Sequence, residues 1–235
     1  MPPPVRAELR VAVVIPAFQA AGTVGAVVAR ARAVLPAARV VVVDDGSTDG
    51  TGDEGRGRGA VVVTHPRNRG KGAALRGGIA RACADGADVI VTLDADGQHP
   101  PELIPALLAP VQAGTADLAL GARRRAAPMP FGRRCTNWLS ARLATRIGGQ
   151  VVSDAQTGFR AFTRDLALNV APSEERYDFE TAFLLDALAA GSRVTCVTIP
   201  TVYDGARSHF RPWADTWRLA RVFARHAGRI VVGAT

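Results

Sequence analysis

Two segments decide how this chain folds: Val40-Val41-Val42-Val43-Asp44-Asp45-Gly46-Ser47 and Val89-Ile90-Val91-Thr92-Leu93-Asp94-Ala95-Asp96-Gly97-Gln98. Each is a short, nearly unbroken apolar run that stops at acidic residues and a glycine. Strands covered by helices on both faces read this way, because neither side of the pleat meets water. Comparable runs at Val11–Ile15, Val61–Thr64 and Leu118–Gly121 alternate with alanine-rich stretches near 24–35, 71–84 and 101–113. That alternation is the βαβ rhythm of an α/β fold. The expected architecture is a mostly parallel central sheet with helices on both faces. After residue 122 the pattern changes to an arginine-rich stretch, a helix near 131–147, a polar turn at 153–158, a helix at 178–190, a strand at 193–199 and a last helix near 212–231. The 235 residues, 48% apolar and 21% charged, suit one domain spanning 1–235.

Several classes fall away on composition. No apolar run approaches the roughly 18 residues of a membrane span, and Met1-Pro2-Pro3-Pro4-Val5-Arg6 leads into the first strand without an apolar leader. Cys83, Cys135 and Cys196 are odd in number and widely spaced, which suits a reducing cytoplasm better than a disulfide framework or a zinc site. Gly50, Gly52 and Gly55 match a dinucleotide fingerprint in form only. They begin six residues beyond their strand, beside Asp53 and Glu54, which would repel a pyrophosphate.

Charge is distributed unevenly. Residues 1–117 carry 12 basic and 12 acidic side chains, whereas 118–235 carry 17 and 9, so the whole formal charge of +8 lies in the second half. That half is expected to face an anion: nucleic acid, lipid headgroups or a phosphorylated substrate. Nucleic acid is the poorest fit, since the few aromatics are not interleaved with the arginines as stacking platforms.

Ligands of open α/β sheets bind outside the carboxyl ends of the strands, where this chain places Asp44, Asp45, Asp94 and Asp96. Asp94 and Asp96 can converge on one cation, and the Gln98 amide adds a neutral oxygen; hard oxygen donors of this kind suit Mg²⁺ or Mn²⁺. The competing reading is that Asp and Gly only make the turns. Lys71 and Arg69, in a glycine-rich turn that opens a helix, either reach phosphates or remain solvated surface cations. Arg160 either clamps phosphate or pairs with Asp154.

The ordered strings Ile15-Pro16-Ala17-Phe18, Val42 to Thr51, Asn68-Arg69-Gly70-Lys71-Gly72 and Leu93 to Glu102 resemble family-two inverting glycosyltransferases of the GT-A fold. Ser153-Asp154-Ala155-Gln156-Thr157-Gly158-Phe159-Arg160 and Phe179-Glu180 narrow the resemblance to dolichyl- or polyprenyl-phosphate mannose and glucose synthases. It spans about residues 10–212. It implies a nucleotide-sugar-binding half at about 8–122, an acceptor-binding half at about 123–212 and an amphipathic helix at about 212–235. Pro16, Phe18, Asp44, Asp45, Lys71, Asp94, Ala95 and Arg160 would bind the GDP- or UDP-hexose. Asp94, Asp96 and Gln98 would hold Mg²⁺ or Mn²⁺. Asp96, Arg123, Arg133, Arg134 and Glu180 would serve the transfer itself, the arginines holding a polyprenyl phosphate. If the acceptor is instead a hydroxyl, Glu180 or Asp178 is the expected base. The usual Pro-x-Tyr-Asn-Glu opening is replaced by Pro16-Ala17-Phe18-Gln19-Ala20, which leaves the nucleotide open.

The last helix sets Arg218, Arg221, Arg225 and Arg229 on one stripe and Trp213, Trp217, Ala220, Ala224, Ala227 and Val231 on another. One reading is an interfacial helix at the cytoplasmic face of a membrane, the protein being peripheral or held by a separate anchoring partner. The other packs the Trp face on the sheet. His99 is expected behind the acidic group or at the surface, and His209 in a loop at 204–212 that orders on donor binding.

Overall fold

The computed structural model describes residues 9–123, 131–200 and 217–226, with side chains from residue 136 onward in the second segment. Seven strands form one sheet in the order β3-β2-β1-β4-β6-β5-β7. They are β1 (Val11–Ala17), β2 (Arg39–Asp44), β3 (Val61–Thr64), β4 (Val89–Thr92), β5 (Leu118–Arg123), β6 (Arg160–Thr163) and β7 (Val194–Ile199). All pairings are parallel except those of β6, which runs antiparallel to β4 and to β5.

The helices are α1 (Ala21–Val34), α2 (Thr51–Gly57), α3 (Lys71–Ala84), α4 (Ile104–Gln112, preceded by a 3₁₀ turn), α5 (Phe131–Gly148), α6 (Arg164–Asn169), α7 (Phe179–Ala189) and α8 at 217–226. The two-residue period of the strands sorts the core. Ala12, Val14, Val41 and Val43 pack with α3, α7 and Val222 and Phe223 of α8, whereas Val13, Ile15, Val40 and Val42 pack with α1 and α4 on the opposite face. Every residue of Val40–Val43 is therefore buried, as an unbroken apolar run requires.

Three elements depart from the sequence pattern. Helix α2 carries glycines at 52, 55 and 57, which weaken helix propensity, yet Thr51, Gly52 and Gly55 are buried against the sheet. Strand β6 was hidden by its first residue, because a buried arginine inside a sheet matches no strand pattern; α6 follows it directly.

Helix α8 keeps the expected period, and its phase turns the Trp217 side of the helix outward. Its buried face is Leu219, Val222, Phe223 and His226, while Trp217, Ala220, Arg221 and Ala224 are exposed, so the Trp face does not pack on the sheet. Arg225 Nη1 lies 2.8 Å from buried Glu174, and His226 Nε2 lies 2.9 Å from Asp186 of α7. Trp213, Ala227, Arg229, Val231 and the 204–212 segment with His209 lie outside the described residues. Among the described residues no helix is long and apolar enough to cross a membrane.

Candidate active site

Chain order reverses around β1: β2 lies on one side and β4 on the other. The loops leaving β1 and β4 diverge there and open a crevice beyond the carboxyl ends, the usual ligand position of such sheets. The cavity found here has a volume of about 780 Å³. Pro16 and Phe18 wall it on the β1 side; Asp94, Ala95, Asp96 and Gln98 come from the β4 end; Lys71 opens α3 above them. The far wall brings Arg123, Gln156, Gly158 and Glu180, with Arg176, Tyr177 and Leu219 of α8 completing the rim.

The centre of the site is a bridged trio. Lys71 Nζ lies 2.6 Å from Asp94 Oδ1 and 2.6 Å from Glu180 Oε1. Burial opposes charge on Lys71, but Asp94 and Glu180 outweigh it and raise the ammonium above its ordinary range. The reciprocal effect is seen at Asp94, where burial is overcome by Lys71, His99 and Arg123 and the carboxyl falls to about 2. Lys71 is thus not a solvated surface cation. Asp94 is held in place from behind as well: a Cβ on Gly158 would sit 2.7 Å from both of its carboxylate oxygens.

Asp96 differs from its neighbour. It stands at the cavity lip, and its carboxyl is raised, first by loss of solvent and then by the charge of Asp94. Two like charges that disfavour each other would be relieved by a dication, and with the Gln98 amide they make an all-oxygen donor set suited to Mg²⁺ or Mn²⁺. Among the described residues no three His, Cys, Asp or Glu side chains gather to enclose an ion. The donors present fit an ion that takes its remaining positions from a diphosphate and water. His99 is buried, stacked on Phe159, with Nδ1 3.7 Å from Asp94 Oδ2; burial lowers its pKa.

Several expected contacts are spent on the scaffold. Asp44 is buried and accepts the Ser47 N–H at 2.9 Å, which shapes the turn after β2, and it is not among the residues that line the cavity. Asp45 reaches the cavity wall but accepts from the N–H groups of Arg69 and Gly70 and lies 2.6 Å from His65 Nδ1. It ties down the turn that carries Lys71. Arg160 neither clamps phosphate nor pairs with Asp154: it is buried and donates to the carbonyls of Ala155, Thr157 and Glu180, with burial lowering its pKa to about 10.

Asp154 instead holds Arg123 through Nε at 2.7 Å and Nη2 at 3.2 Å. This fork fixes the guanidinium at the cavity wall. Asp178 does not line the cavity. Arg124 and Arg125 lie outside the described residues, as do the side chains of Arg133 and Arg134 at the start of α5. The sequence reading missed the Lys71 bridge, the Asp154–Arg123 fork and the rim residues Arg176, Tyr177 and Leu219. Lys71, Arg123 and Asp154 were each singled out in the sequence, but Asp154 only as one of two options for Arg160, and its partner is Arg123.

An acidic strand end facing cations across a switch-point crevice marks an α/β protein with a ligand site at the carboxyl edge of its sheet. Residues 12–170 match the model of Glycosyl transferase family 2, and the chain belongs to that family: it is a glycosyltransferase. It is 32% identical over 206 residues to the undecaprenyl-phosphate mannosyltransferase of Micrococcus luteus, covering 83% of this chain and 84% of that protein. It is also 32% identical over 220 residues to the polyprenol monophosphomannose synthase of Mycolicibacterium smegmatis, covering 84% and 79%. In fold it resembles glucosyl-3-phosphoglycerate synthase from Mycobacterium tuberculosis, with a TM-score of 0.78, 23% identity and coverage of 94% and 81%. That likeness establishes the GT-A architecture.

Proposed function

We propose that this glycosyltransferase moves a hexose, mannose from GDP-mannose in preference to glucose from UDP-glucose, onto a polyprenyl phosphate by single displacement at the anomeric carbon. The observation that carries the reading is Glu180. This carboxylate on the acceptor side of the cavity is buried and paired with Lys71 at 2.6 Å, so it already serves as counter-ion to the ammonium. An acceptor that needs no base fits such a site. A phosphate monoester with its second pKa near ~6 is largely dianionic at pH 7 and attacks without deprotonation.

Arg123, fixed by Asp154, is placed to orient that phosphate, and Arg133 and Arg134 are assigned the same task from the start of α5. Pro16 and Phe18 would flank the nucleotide. Asp94, Asp96 and Gln98 would hold Mg²⁺ or Mn²⁺, which offsets charge on the departing diphosphate when bound. The names of the two relatives support a lipid phosphate acceptor and lean toward mannose. The exposed Trp217 and Arg221 of α8 support docking at a membrane surface, where the acceptor resides.

The second reading keeps the donor site and assigns a hydroxyl acceptor, with Glu180 as base; Asp178, away from the cavity, is the weaker choice. The test is transfer of label into an organic-extractable product from a panel of GDP- and UDP-sugars, with Mn²⁺ or Mg²⁺ and a short polyprenyl phosphate. Lipid-linked product from one donor, lost in Asp96→Asn, is expected. Nucleotide-sugar binding without lipid product from any donor overturns the acceptor assignment and favours the hydroxyl reading.

A further inference from the structure

Lys71 belongs to both sides of the site. Its ammonium shares equal 2.6 Å contacts with Asp94 at the end of β4 and Glu180 in the first turn of α7. The chain is built to hold it there. Gly70 has a φ of 101°, a conformation L side chains rarely adopt, and a Cβ on Gly72 would meet Glu174 O at 2.6 Å and Phe179 Cβ at 2.8 Å. The opening of α3 therefore lies directly against the segment leading into α7. Asp45 fixes the same turn through the Arg69 and Gly70 amides, and the Tyr177 ring stands 5.8 Å from the ammonium. With only 18% of its side chain exposed, Lys71 has little access to water as an alternative partner.

An ion recruited by Asp94 has to compete for an oxygen that this ammonium already holds. Winning it leaves Lys71 largely buried with Glu180 alone, and an under-compensated charge in such surroundings is costly. A diphosphate changes the balance, because its oxygens offer the ammonium a new charge-assisted partner as Asp94 turns to the ion. We propose that Lys71 couples the two ligands: it bars a divalent ion from Asp94 until a nucleoside diphosphate is present to receive the ammonium. The coupling is reciprocal, so the ion raises nucleotide affinity by the same factor. This inference rests on the divalent-ion reading given above. It adds that the ion and the donor enter as an interdependent pair, with one lysine responsible.

The test is Mn²⁺ binding to the full chain, read by the electron paramagnetic resonance of the free aquo-ion, with and without GDP or UDP. Wild type, Lys71→Met and Glu180→Gln are compared. In wild type the diphosphate is expected to raise Mn²⁺ affinity about tenfold or more, within the usual range of coupled sites. Lys71→Met should bind Mn²⁺ alone roughly tenfold more tightly than wild type and lose most of the nucleotide effect, the size of effect seen between members of one ion-pair network. Glu180→Gln should bind Mn²⁺ alone more weakly, because the ammonium then depends entirely on Asp94.

A lysine that serves only to hold the site together predicts weaker ion binding in both variants. That result, or an unchanged nucleotide-free affinity in Lys71→Met, overturns the inference. Should Lys71→Met fail to fold, Glu180→Gln decides: nucleotide-free affinity at or above wild type overturns it. Wild type that binds no Mn²⁺ with either diphosphate overturns the divalent-ion reading itself, a different result from variants that misbehave while wild type binds.

Discussion

Replacing Gly158 with alanine adds one methyl group to the site and aims it at a single target. The new Cβ would stand 2.7 Å from Asp94 Oδ1 and Oδ2 and 2.9 Å from its Cγ. That is roughly 0.5–1 Å inside ordinary contact between heavy atoms, so the carboxylate has to retreat by about that much. The retreat carries Asp94 away from the position in which it meets Lys71. A misplacement of about 1 Å in a catalytic constellation costs on the order of 100-fold, so kcat/KM is expected to fall roughly 10- to 100-fold, or about 1.4–2.7 kcal/mol in transition-state stabilisation. The backbone itself tolerates the change. Gly158 has no left-handed φ, and its carbonyl still accepts the Thr92 hydroxyl. Tm should therefore stay within about 4 °C of wild type, the shift that about 1 kcal/mol produces in a chain of this size. Initial rates of sugar transfer, paired with thermal melts of the same preparation, give the result. Wild-type kcat/KM in a folded Gly158→Ala would show that the Asp94 position is neither crowded by this contact nor needed for transfer.

Three further outcomes follow from the scaffold. Arg160→Lys, which keeps the charge but loses the planar fork that serves three carbonyls, should lower stability by about 3 kcal/mol as buried acceptors go unmet, measured by urea unfolding; a loss near zero would contradict the buried-clamp description. Gly22→Ala, at an exposed position of α1 with nothing within 4 Å of the new Cβ, should stabilise by about 0.5–1 kcal/mol, seen as a raised Tm. Asp154 is held below the ordinary carboxylate range, burial being outweighed by Arg123. Because its folded pKa lies below its unfolded one, near ~3.9, its contribution is complete above that unfolded value and is lost as pH falls through the folded one. Unfolding free energy should accordingly drop more steeply below about pH 4 in wild type than in Asp154→Asn, and parallel slopes would refute the pairing.

The strands of the first half were legible because burial on both faces leaves an unbroken apolar run, and Val40–Val43 and Val89–Thr92 have no other use for such runs. Helix α3 was bounded correctly at 71–84 because Gly70 and Gly72 punctuate its start. The acidic ends were legible as chemistry, but not the division of labour among them. Asp94 and Asp96 face the cavity while Asp44 is consumed by its own turn, and the sequence presents all three in the same way. For helix α8 the sequence left two placements of the tryptophan stripe open, because an amphipathic aromatic ring suits a core and an interface alike. The Glu174 and Asp186 contacts that orient the helix come from distant segments. Asp154 was one of two options for Arg160, six residues on, whereas its partner Arg123 is 31 residues back. Separation in sequence hides such pairs until strand order is known.

Strand order also explains why the site has two chemically different walls. A purely parallel sheet delivers to its carboxyl edge only the loops that follow strands. Here β6 runs the other way, with Arg160 opposite Thr92 of β4 and Leu120 of β5. The amino end of an antiparallel strand lies where its neighbours have their carboxyl ends, so the segment preceding β6 is delivered to the crevice as well. That segment is the polar turn 153–158, and it supplies Asp154 to Arg123, Gln156 to the wall and Gly158 to the back of Asp94. Arg160 then closes the turn by taking the carbonyls of Ala155 and Thr157 along with that of Glu180. One reversed strand thus joins the acidic end of β4 to the second half of the chain, which carries the entire net positive charge. A parallel β6 would put Arg160 at the opposite edge of the sheet, leaving Asp94 without its backing glycine and Arg123 without its counter-ion.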